Sequence, residues 1–497
     1  MDPMDVINFF MLVAPLVMLV AIGGVRVGTR LGLPALLLFL LVGIILGESG
    51  FGLEFDDAII AQGLGYAALT LILAEGGLST KWEDIRPTLG LSVVLATVGV
   101  VVTIGLMTVI GHYALGLPLI LALLFGAVNA GTDAAAVFSV LRGIPLPVRV
   151  RSALEGESGL NDAPTVLIVT AATAAAVGEP QPGGIPGVAL MIVAQLVGGI
   201  LLGATLGALG VFVLRRFALP AAGLYPLAAL AWAVLAYGVA TQISVSGFAA
   251  VYICAMVLGN GRLPHRHATQ SFAEGTGWLA QIGLFVMLGL LASPSRITLD
   301  VVLLGLVAGL FLTFVVRPLA VMLCAVWFRV PWREQAFLSW AGLRGAVPII
   351  LATVPMAAQM DDAGRLFDVV LVFVIAYTAI QAPSLPWVAK KLGLAEDSPA
   401  TAVTFEPAPM DEQRADLFKV KLTGKCSLEG MPLEGLALPE NTDVSLVIRS
   451  GDAFVPDGET VLQRHDELIV VAPADHREAV EAYFRRLRIQ DGEADET

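Results

Sequence analysis

Long apolar runs recur along this chain from residue 5 to residue 389, and they constrain its fold more than any other feature. A helix that crosses the hydrocarbon core of a bilayer needs about 20 predominantly apolar residues. The chain is 57% hydrophobic and only 14% charged, well below the charge content of typical soluble domains. We therefore expect an all-α polytopic membrane protein.

The apolar runs predict thirteen transmembrane helices. The first has neither a basic n-region nor a small-residue cleavage site, so we interpret it as a helix and not as a signal peptide. The predicted spans are 5–24, 32–48, 58–78, 89–115, 118–141, 152–177, 184–214, 222–238, 246–259, 271–292, 298–328, 335–356 and 365–389.

The basic residues of the short loops predict the orientation. Alternate loops carry fifteen Lys and Arg residues, whereas the opposite set carries only Arg296 and Arg365. Because cytoplasmic loops are enriched in Lys and Arg, we expect the N-terminus outside and the C-terminus in the cytoplasm. We also expect a multi-pass protein of the cell inner membrane.

The composition changes after the last span. Residues 1–391 form the predicted membrane domain, and 392–412, rich in Pro, Ala and acids, are predicted to be a linker. Strand-like runs at 417–422, 443–449 and 467–471, followed by a helical stretch from Asp475 to Leu487, predict a small α+β domain at 413–487. The acidic tail, 488–497, is predicted to be disordered.

Polar residues are concentrated in the sixth span, in the run Glu157 to Asp162. A charge at the centre of a membrane helix costs roughly 2.5–3.5 kcal/mol on insertion scales, so these side chains must face protein, water or an ion. Ser158, Asn161 and Asp162 have helical spacing and share one face. Asn161 could also act only as a packing contact between helices.

The predicted buried acids and buried arginines can be compared in number. Glu75 and Asp133 lie in other apolar runs, as do Arg317 and Arg344, and Glu157 lies in the sixth span itself. We expect Glu157 to pair with one of these two arginines, and the residues alone leave open which one. Because the buried acids outnumber the buried arginines, a surplus carboxylate must take up a proton or a cation. For Glu75, the adjacent glycine pair could equally mark a helix end.

Two spans are predicted to be broken. In the fifth, Gly131, Thr132 and Asp133 follow Asn129, and in the twelfth, two glycines and Pro348 surround Arg344. Interrupted helices at corresponding positions of two inverted repeats indicate a transport site at mid-membrane. There Asp133 would offset the positive helix ends and Arg344 the negative ones.

The same residues resemble the monovalent cation:proton antiporters of the NhaP type, in the potassium/proton branch. The resemblance covers nearly all of 1–391 and lies in Thr132-Asp133, the run Glu157 to Asp162, Arg317-Pro318-Leu319 and the run Gly342 to Ala346. It departs from the family at Ala163, where the motif more often has proline, and Pro164 follows one residue later.

This resemblance implies an NhaA/NhaP-like homodimer of thirteen helices with a mobile six-helix core. It implies that Asp162 is the exchange site, that the bound metal is a monovalent cation at Asp162 and Asp133, and that Glu157 pairs with Arg317. The Thr132 carbonyl, Ser158 and Glu75 are the further cation ligands that it implies, with Asn161 setting the charge of the site. No cofactor is implied.

The C-terminal segment is similar to TrkA-C (RCK-C) domains, through Leu433–Leu438, 448–451, 455–460 and 465–468. Such domains pair and bind small cytoplasmic ligands, often nucleotides. The formal net charge of −13 offers no basic face for nucleic acid.

The sequence thus predicts a transporter and not an enzyme. We expect electroneutral 1:1 exchange of a monovalent cation for H+, with K+ favoured over Na+, by alternating access of a carboxylate site at Asp162. The alternatives are an Na+/H+ antiporter of the same fold, a ligand-gated monovalent cation channel, and a sensor that signals through its cytoplasmic domain. Walker, dinucleotide-binding and HExxH motifs are absent from the sequence, which disfavours an ATP-driven pump or a membrane protease.

Overall fold

Helices follow the apolar runs in the computed structural model of the chain. It describes residues 3–480 and 483, without 32–33, 49, 54, 134–135, 138–145, 181–182, 262, 395–402, 409–414, 423–429, 437, 450–451, 465 and 474–478. The described residues belong to two compact units, Met1–Glu396 and Asp397–Thr497.

The first unit is helical. Its helices up to the middle of the unit are α1 (Pro3–Leu31), α2 (Ala35–Leu46), α3 (Ala58–Ser79), α4 (Leu89–Tyr113), α5 (Leu119–Val128), α6 (Val148–Ala176) and α7 (Gly184–Arg216). The remaining ones are α8 (Leu224–Gln242), α9 (Gly247–Asn260), α10 (Arg266–Leu291), α11 (Leu299–Phe328), α12 (Trp332–Trp340), α13 (Ala346–Ala357) and α14 (Ala363–Lys391).

The lengths of these helices fit a membrane protein. Among the described residues, seven helices are long and apolar enough to cross a bilayer, and five apolar segments are shorter. The 29-residue helix α6 is outside both groups because it contains the charged run around Glu157 and Asp162. The prediction of an all-α membrane fold is confirmed, and the predicted fifth and twelfth spans are interrupted: α5 ends at Val128, and α12 and α13 are separate helices.

Glycines let the helices next to the site approach closely. A Cβ atom on Gly203 of α7 would collide with the backbone of Ala250, and one on Gly77 of α3 would lie 2.7 Å from the carbonyl oxygen of Tyr252. Small residues at such crossings are typical of helix packing in membranes. Helix α9 is therefore fixed between α3 and α7.

Two helices contain a π-helical segment. It covers Leu95–Gly99 in α4 and Leu312–Val316 in α11. The helices are seven predicted spans apart, at corresponding positions of the two predicted repeats. Arg317 follows the second segment directly, and π-helical turns inside α-helices are frequent at functional sites.

The second unit contains a five-stranded antiparallel sheet in the order β1-β2-β5-β3-β4. The strands are β1 (Val403–Ala408), β2 (Ala415–Leu422), β3 (Asp443–Arg449), β4 (Asp452–Phe454) and β5 (Glu467–Pro473). The three predicted strand runs are present, and Val420, Val447 and Leu468 belong to a small separate core.

Strand β1 lies within the segment predicted to be a linker, so that prediction is wrong for 403–408. Composition suggested a linker because Pro, Ala and acids dominate, whereas pairing with the edge of β2 supplies hydrogen bonds that composition does not reveal. Most of the predicted helix from Asp475 to Leu487 and the whole tail, 488–497, lie outside the described residues.

Candidate functional site

The broken fifth span forms one side of the site. Helix α5 ends at Val128, and the side-chain amide of the next residue, Asn129, donates to the carbonyl of Phe125 at 2.8 Å and closes the last turn. Gly131, Thr132 and Asp133 are non-helical. All of these residues are buried, so the freed backbone groups need partners within the protein.

The broken twelfth span supplies some of those partners. The amide of Asp133 donates to the carbonyl of Leu343 at 3.0 Å, and the amide of Ala346 donates to the Asp133 carboxylate at 2.7 Å. The Asp133 carboxylate also accepts from the Ala136 amide at 3.2 Å. One carboxylate therefore caps helical segments on both sides of the crossing, where a negative charge is favoured. A Cβ atom on Gly345 would collide with this carboxylate.

Arg344 lies at the opposite ends of the broken helices. Its guanidinium donates to the carbonyl of Gly342 at 2.6 Å and to that of Asn129 at 3.4 Å. Both carbonyls lie just beyond the C-terminal ends of half-helices, where a cation is favoured. Arg344 is 2% exposed, so this compensation occurs away from solvent.

Glu157 pairs with Arg317 and not with Arg344. The two carboxylate oxygens accept from the guanidinium at 2.5 and 2.8 Å, and each residue is 2% exposed. A bidentate pair of this kind is neutral as a unit. Gly342 leaves room for it, because a Cβ atom there would lie 2.7 Å from the Nε atom of Arg317.

A hydrogen-bonded network joins the fifth span to α6. The side-chain amide of Asn161 donates to the Thr132 hydroxyl at 2.7 Å, and this hydroxyl lies 2.9 Å from that of Ser158. Thr165 donates to the Asn161 carbonyl at 2.6 Å. Asn161 is thus a polar contact between helices and also orients a hydroxyl of the site.

Asp162 lies on the same face of α6 and is 1% exposed. Its Oδ1 atom has no hydrogen-bond partner among the described residues. Asp162 and Asp133 line one small cavity of about 10 Å³, together with Gln281 of α10 and apolar side chains of α3, α10 and α13. A cavity needs about 10–15 Å³ to hold one water molecule, so the space beside Asp162 has room for about one.

Glu75 does not line this cavity. It lines a separate one of about 310 Å³ between the end of α3 and the start of α6, which is also lined by Lys81, Asp84, Arg151 and Glu155. The structure therefore brings Asp162, Asp133, Thr132, Ser158 and Asn161 together and leaves Glu75 in the larger cavity.

Sequence reasoning missed two residues near the site. Glu155 lies in the polar run of α6, and its charge could have indicated it. Tyr252 of α9 packs on Gly159 of α6, and a lone tyrosine in an apolar run carries no signal of this contact.

Known proteins match both parts of the chain. The family described as "Sodium/hydrogen exchanger, transmembrane" matches residues 17–391, and the TrkA-C domain family matches residues 417–485.

Curated relatives extend over most of the chain. The K(+)/H(+) antiporter NhaP of Alkalimonas amylolytica is 36% identical over 475 residues, which are 94% of this chain and 82% of the relative. NhaP2 of Shewanella oneidensis, also named a K(+)/H(+) antiporter, is 35% identical over 485 residues, covering 97% of this chain and 84% of the relative.

The fold has a solved counterpart. The structure of the sodium proton antiporter MjNhaP1 from Methanocaldococcus jannaschii matches with a TM-score of 0.65 at 22% identity, covering 79% of this chain and 99% of the other. At that identity the match describes the fold alone.

Proposed function

The chain belongs to the sodium/hydrogen exchanger family and is a cation/proton antiporter, and from this premise we propose that it exchanges K+ for H+ at Asp162. Asp162 holds either a proton or a dehydrated cation, because the surroundings compensate charge for only one of them. The core then carries the loaded site across the membrane, and the empty, charged form is disfavoured in the dry path.

The observation that carries this proposal is the distribution of buried charge. Glu157 is neutralised by Arg317, and the Asp133 carboxylate accepts from two amides at helix ends. In the part of the chain that the structure describes, Asp162 remains as the carboxylate with a buried oxygen that lacks a hydrogen-bond partner. Such a group binds a proton or a cation to avoid an uncompensated charge.

The other ligands in the proposal are oxygen atoms near Asp162. They are the hydroxyl of Ser158, the carbonyl of Thr132 and the carboxylate of Asp133, with Glu75 on the route of entry. Oxygen ligands suit hard monovalent cations. K+ is favoured over Na+ because the curated relatives above are named K(+)/H(+) antiporters. Because Asn161 carries no charge, Asp162 is the exchange carboxylate at this position, and its charge is balanced by one proton or by one cation. One proton therefore exchanges for one cation.

The proposal also covers the assembly. Residues 1–391 form the exchanger and 413–487 the regulatory domain, to whose sheet residues 403–408 add strand β1. The exchanger is a homodimer in the cell inner membrane, with its N-terminus outside and its C-terminus in the cytoplasm. The regulatory domain binds a small cytoplasmic ligand of the nucleotide class and adjusts transport.

Proton flux in proteoliposomes tests the function. Gradients of K+, Na+, Li+ and Rb+ are imposed in turn across a range of pH, with the wild type and the Asp162→Asn variant. We expect wild-type flux to be driven best by K+, and the variant to have none. Flux that persists in Asp162→Asn contradicts the assignment, and preference for Na+ selects the sodium alternative.

A matched control is available at Asp368. It is another buried aspartate of the membrane unit, and it pairs with Arg296 at 3.4 Å rather than lining the Asp162 cavity. Asp368→Asn is expected to retain flux. Conductance far above transporter turnover, insensitive to Asp162→Asn, would instead identify a channel.

A further inference from the structure

One face of α6 borders two separate cavities. Glu155, Gly159 and Asp162 follow one another at helical spacing and therefore share this face. Glu155 lines the larger cavity of about 310 Å³, and Asp162 lines the small one of about 10 Å³. The two cavities share no lining residue, so something at the level of Gly159 separates them.

The ring of Tyr252 occupies that level. A Cβ atom on Gly159 would lie 2.5 Å from the Cζ atom and from the hydroxyl oxygen of this ring, so only glycine admits the ring in this position. Tyr252 is 3% exposed, and its hydroxyl lies beside the side chain of Thr80, a residue that lines the larger cavity. The ring therefore covers the face of α6 at Gly159, about one turn from Glu155 on one side and from Asp162 on the other, with its hydroxyl at the edge of the larger cavity.

The helix that carries Tyr252 is anchored independently of α6. At its end, the Asn260 side chain donates to the carbonyl of Thr80 at 2.8 Å and accepts from the amide of Trp82 at 2.8 Å. A Cβ atom on Gly259 would collide with the backbone of Leu78. Because α9 is fixed to α3 in this way, any movement of α6 relative to α9 must slide Gly159 past the ring.

We propose that Tyr252, seated on Gly159, is the barrier that closes the Asp162 cavity from the larger cavity, and that its ring must leave Gly159 each time Asp162 exchanges with that side. This inference rests on the proposed function, since it assigns the route by which the cation and the proton reach the exchange site. Tyr252 acts as a positioning residue, and its bulk, not its hydroxyl group, is what the barrier requires.

Chemical labelling of the two carboxylates tests the barrier. Inside-out vesicles containing the full chain are treated with a water-soluble carbodiimide and an amine, and labelling of Glu155 and Asp162 is measured by mass spectrometry. We expect Glu155 to be labelled in every variant, and this labelling also reports that the larger cavity is intact. Labelling of Asp162 is expected to rise severalfold in Tyr252→Ala and to stay at the wild-type level in Tyr252→Phe.

Tyr237→Ala is the matched control, because its ring packs on Phe248 and Gly247 of α9, whereas the ring of Tyr252 packs on Gly159 of α6. It should leave the labelling of Asp162 unchanged. Equal labelling of Asp162 in the wild type and in Tyr252→Ala, with Glu155 labelled in both, overturns the proposal. A rise in Tyr237→Ala as large as that in Tyr252→Ala overturns it too.

A double-mutant cycle tests the contact between Tyr252 and Gly159. Gly159→Ala introduces the methyl group that meets the ring, so cation-driven proton flux should fall severalfold. In the Tyr252→Ala background the same change should alter flux little, because the ring is gone. Full flux in Gly159→Ala, or an equal loss in both backgrounds, contradicts the proposed role of the Tyr252–Gly159 contact. If the wild type itself shows no exchange, the proposed function fails, whereas the labelling comparison still decides the barrier.

Discussion

The carboxylate of Asp133 accepts a hydrogen bond at 2.7 Å from the amide of Ala346, 213 residues further along the chain. Ala346 is the first residue of α13, so the residue that follows the break in one repeat caps the helix that begins after the break in the other. Asp133 therefore has a structural task that Asp162 does not share, and the two aspartates should respond differently to substitution.

Asp133→Ala should destabilise the crossing of the broken helices, because it removes the acceptor for the Ala346 amide. A lost cap costs about 1 kcal/mol, and a buried amide left unpaired adds to that. Asp133→Asn keeps an acceptor and should be less harmful. Thermal unfolding in detergent is expected to rank the wild type above Asn and Asn above Ala. Proton flux as fully absent in Asp133→Asn as in Asp162→Asn would contradict this division of roles.

Glu157→Gln should destabilise the membrane unit strongly, since it leaves the Arg317 charge buried without a counter-charge. Breaking a buried ion pair from one side costs roughly 3–5 kcal/mol. The same substitution at Glu155, which lines the larger cavity, should cost no more than about 1 kcal/mol. Loss of thermal stability that is equal in the two variants would show that Glu157 does not depend on the pair.

Exchange by the wild type should be insensitive to membrane potential. With Asn161 neutral, one proton replaces one cation and no net charge crosses the membrane. A K+-diffusion potential would confound the test, so the potential is imposed with a permeant organic ion at equal K+ and equal pH on both sides. The pH of the vesicle lumen should then stay constant, and a sustained change that requires Asp162 would indicate a different stoichiometry.

The C-terminal unit should lose stability as the pH falls. Burial raises the pKa of Asp466, but hydrogen bonds from Arg449 and from the Gln463 amide, with the charge of Arg449, outweigh it and leave the pKa below its ordinary value of 3.8. A carboxylate with a lowered pKa stabilises the fold above its unfolded pKa, and this contribution is lost as the pH falls through the folded pKa.

Hydrogen exchange of the β3 and β5 amides in the full chain measures this loss. Exchange should accelerate as the pH is lowered below about 3.8, once the intrinsic pH dependence of exchange is removed. Asp466→Asn should weaken the unit by roughly 2 kcal/mol at neutral pH and flatten the acid response. Asp452→Asn, on the neighbouring strand β4, is the control and should preserve the response.

Local chemistry made the helix breaks predictable. Glycine, proline and short polar side chains weaken helices wherever they occur, so the interruptions near Asp133 and Arg344 could be located without knowing the fold. Charge balance alone did not select the partner of Glu157, because two buried arginines satisfy it equally, and the family resemblance was what pointed to Arg317. In the structure Arg317 reaches Glu157 beside Gly342, where any side chain would collide with its guanidinium.

Other features depend on contacts between distant segments. Glu75 was expected among the cation ligands, but its position near the end of α3 places it in the larger cavity. Tyr252 gains its position from the crossing of α9 with α6. Strand β1 forms because β2 offers it an edge, which overrides a composition typical of a linker.

The cavity at Asp162 is as small as a single water molecule, and this affects the two ions unequally. A proton joins the carboxylate without needing space. A potassium ion must displace packed side chains such as Leu69 and Phe285, which line the cavity. The cation half of the cycle should therefore have the larger activation volume, so hydrostatic pressure would slow loading of the cation more than loading of the proton.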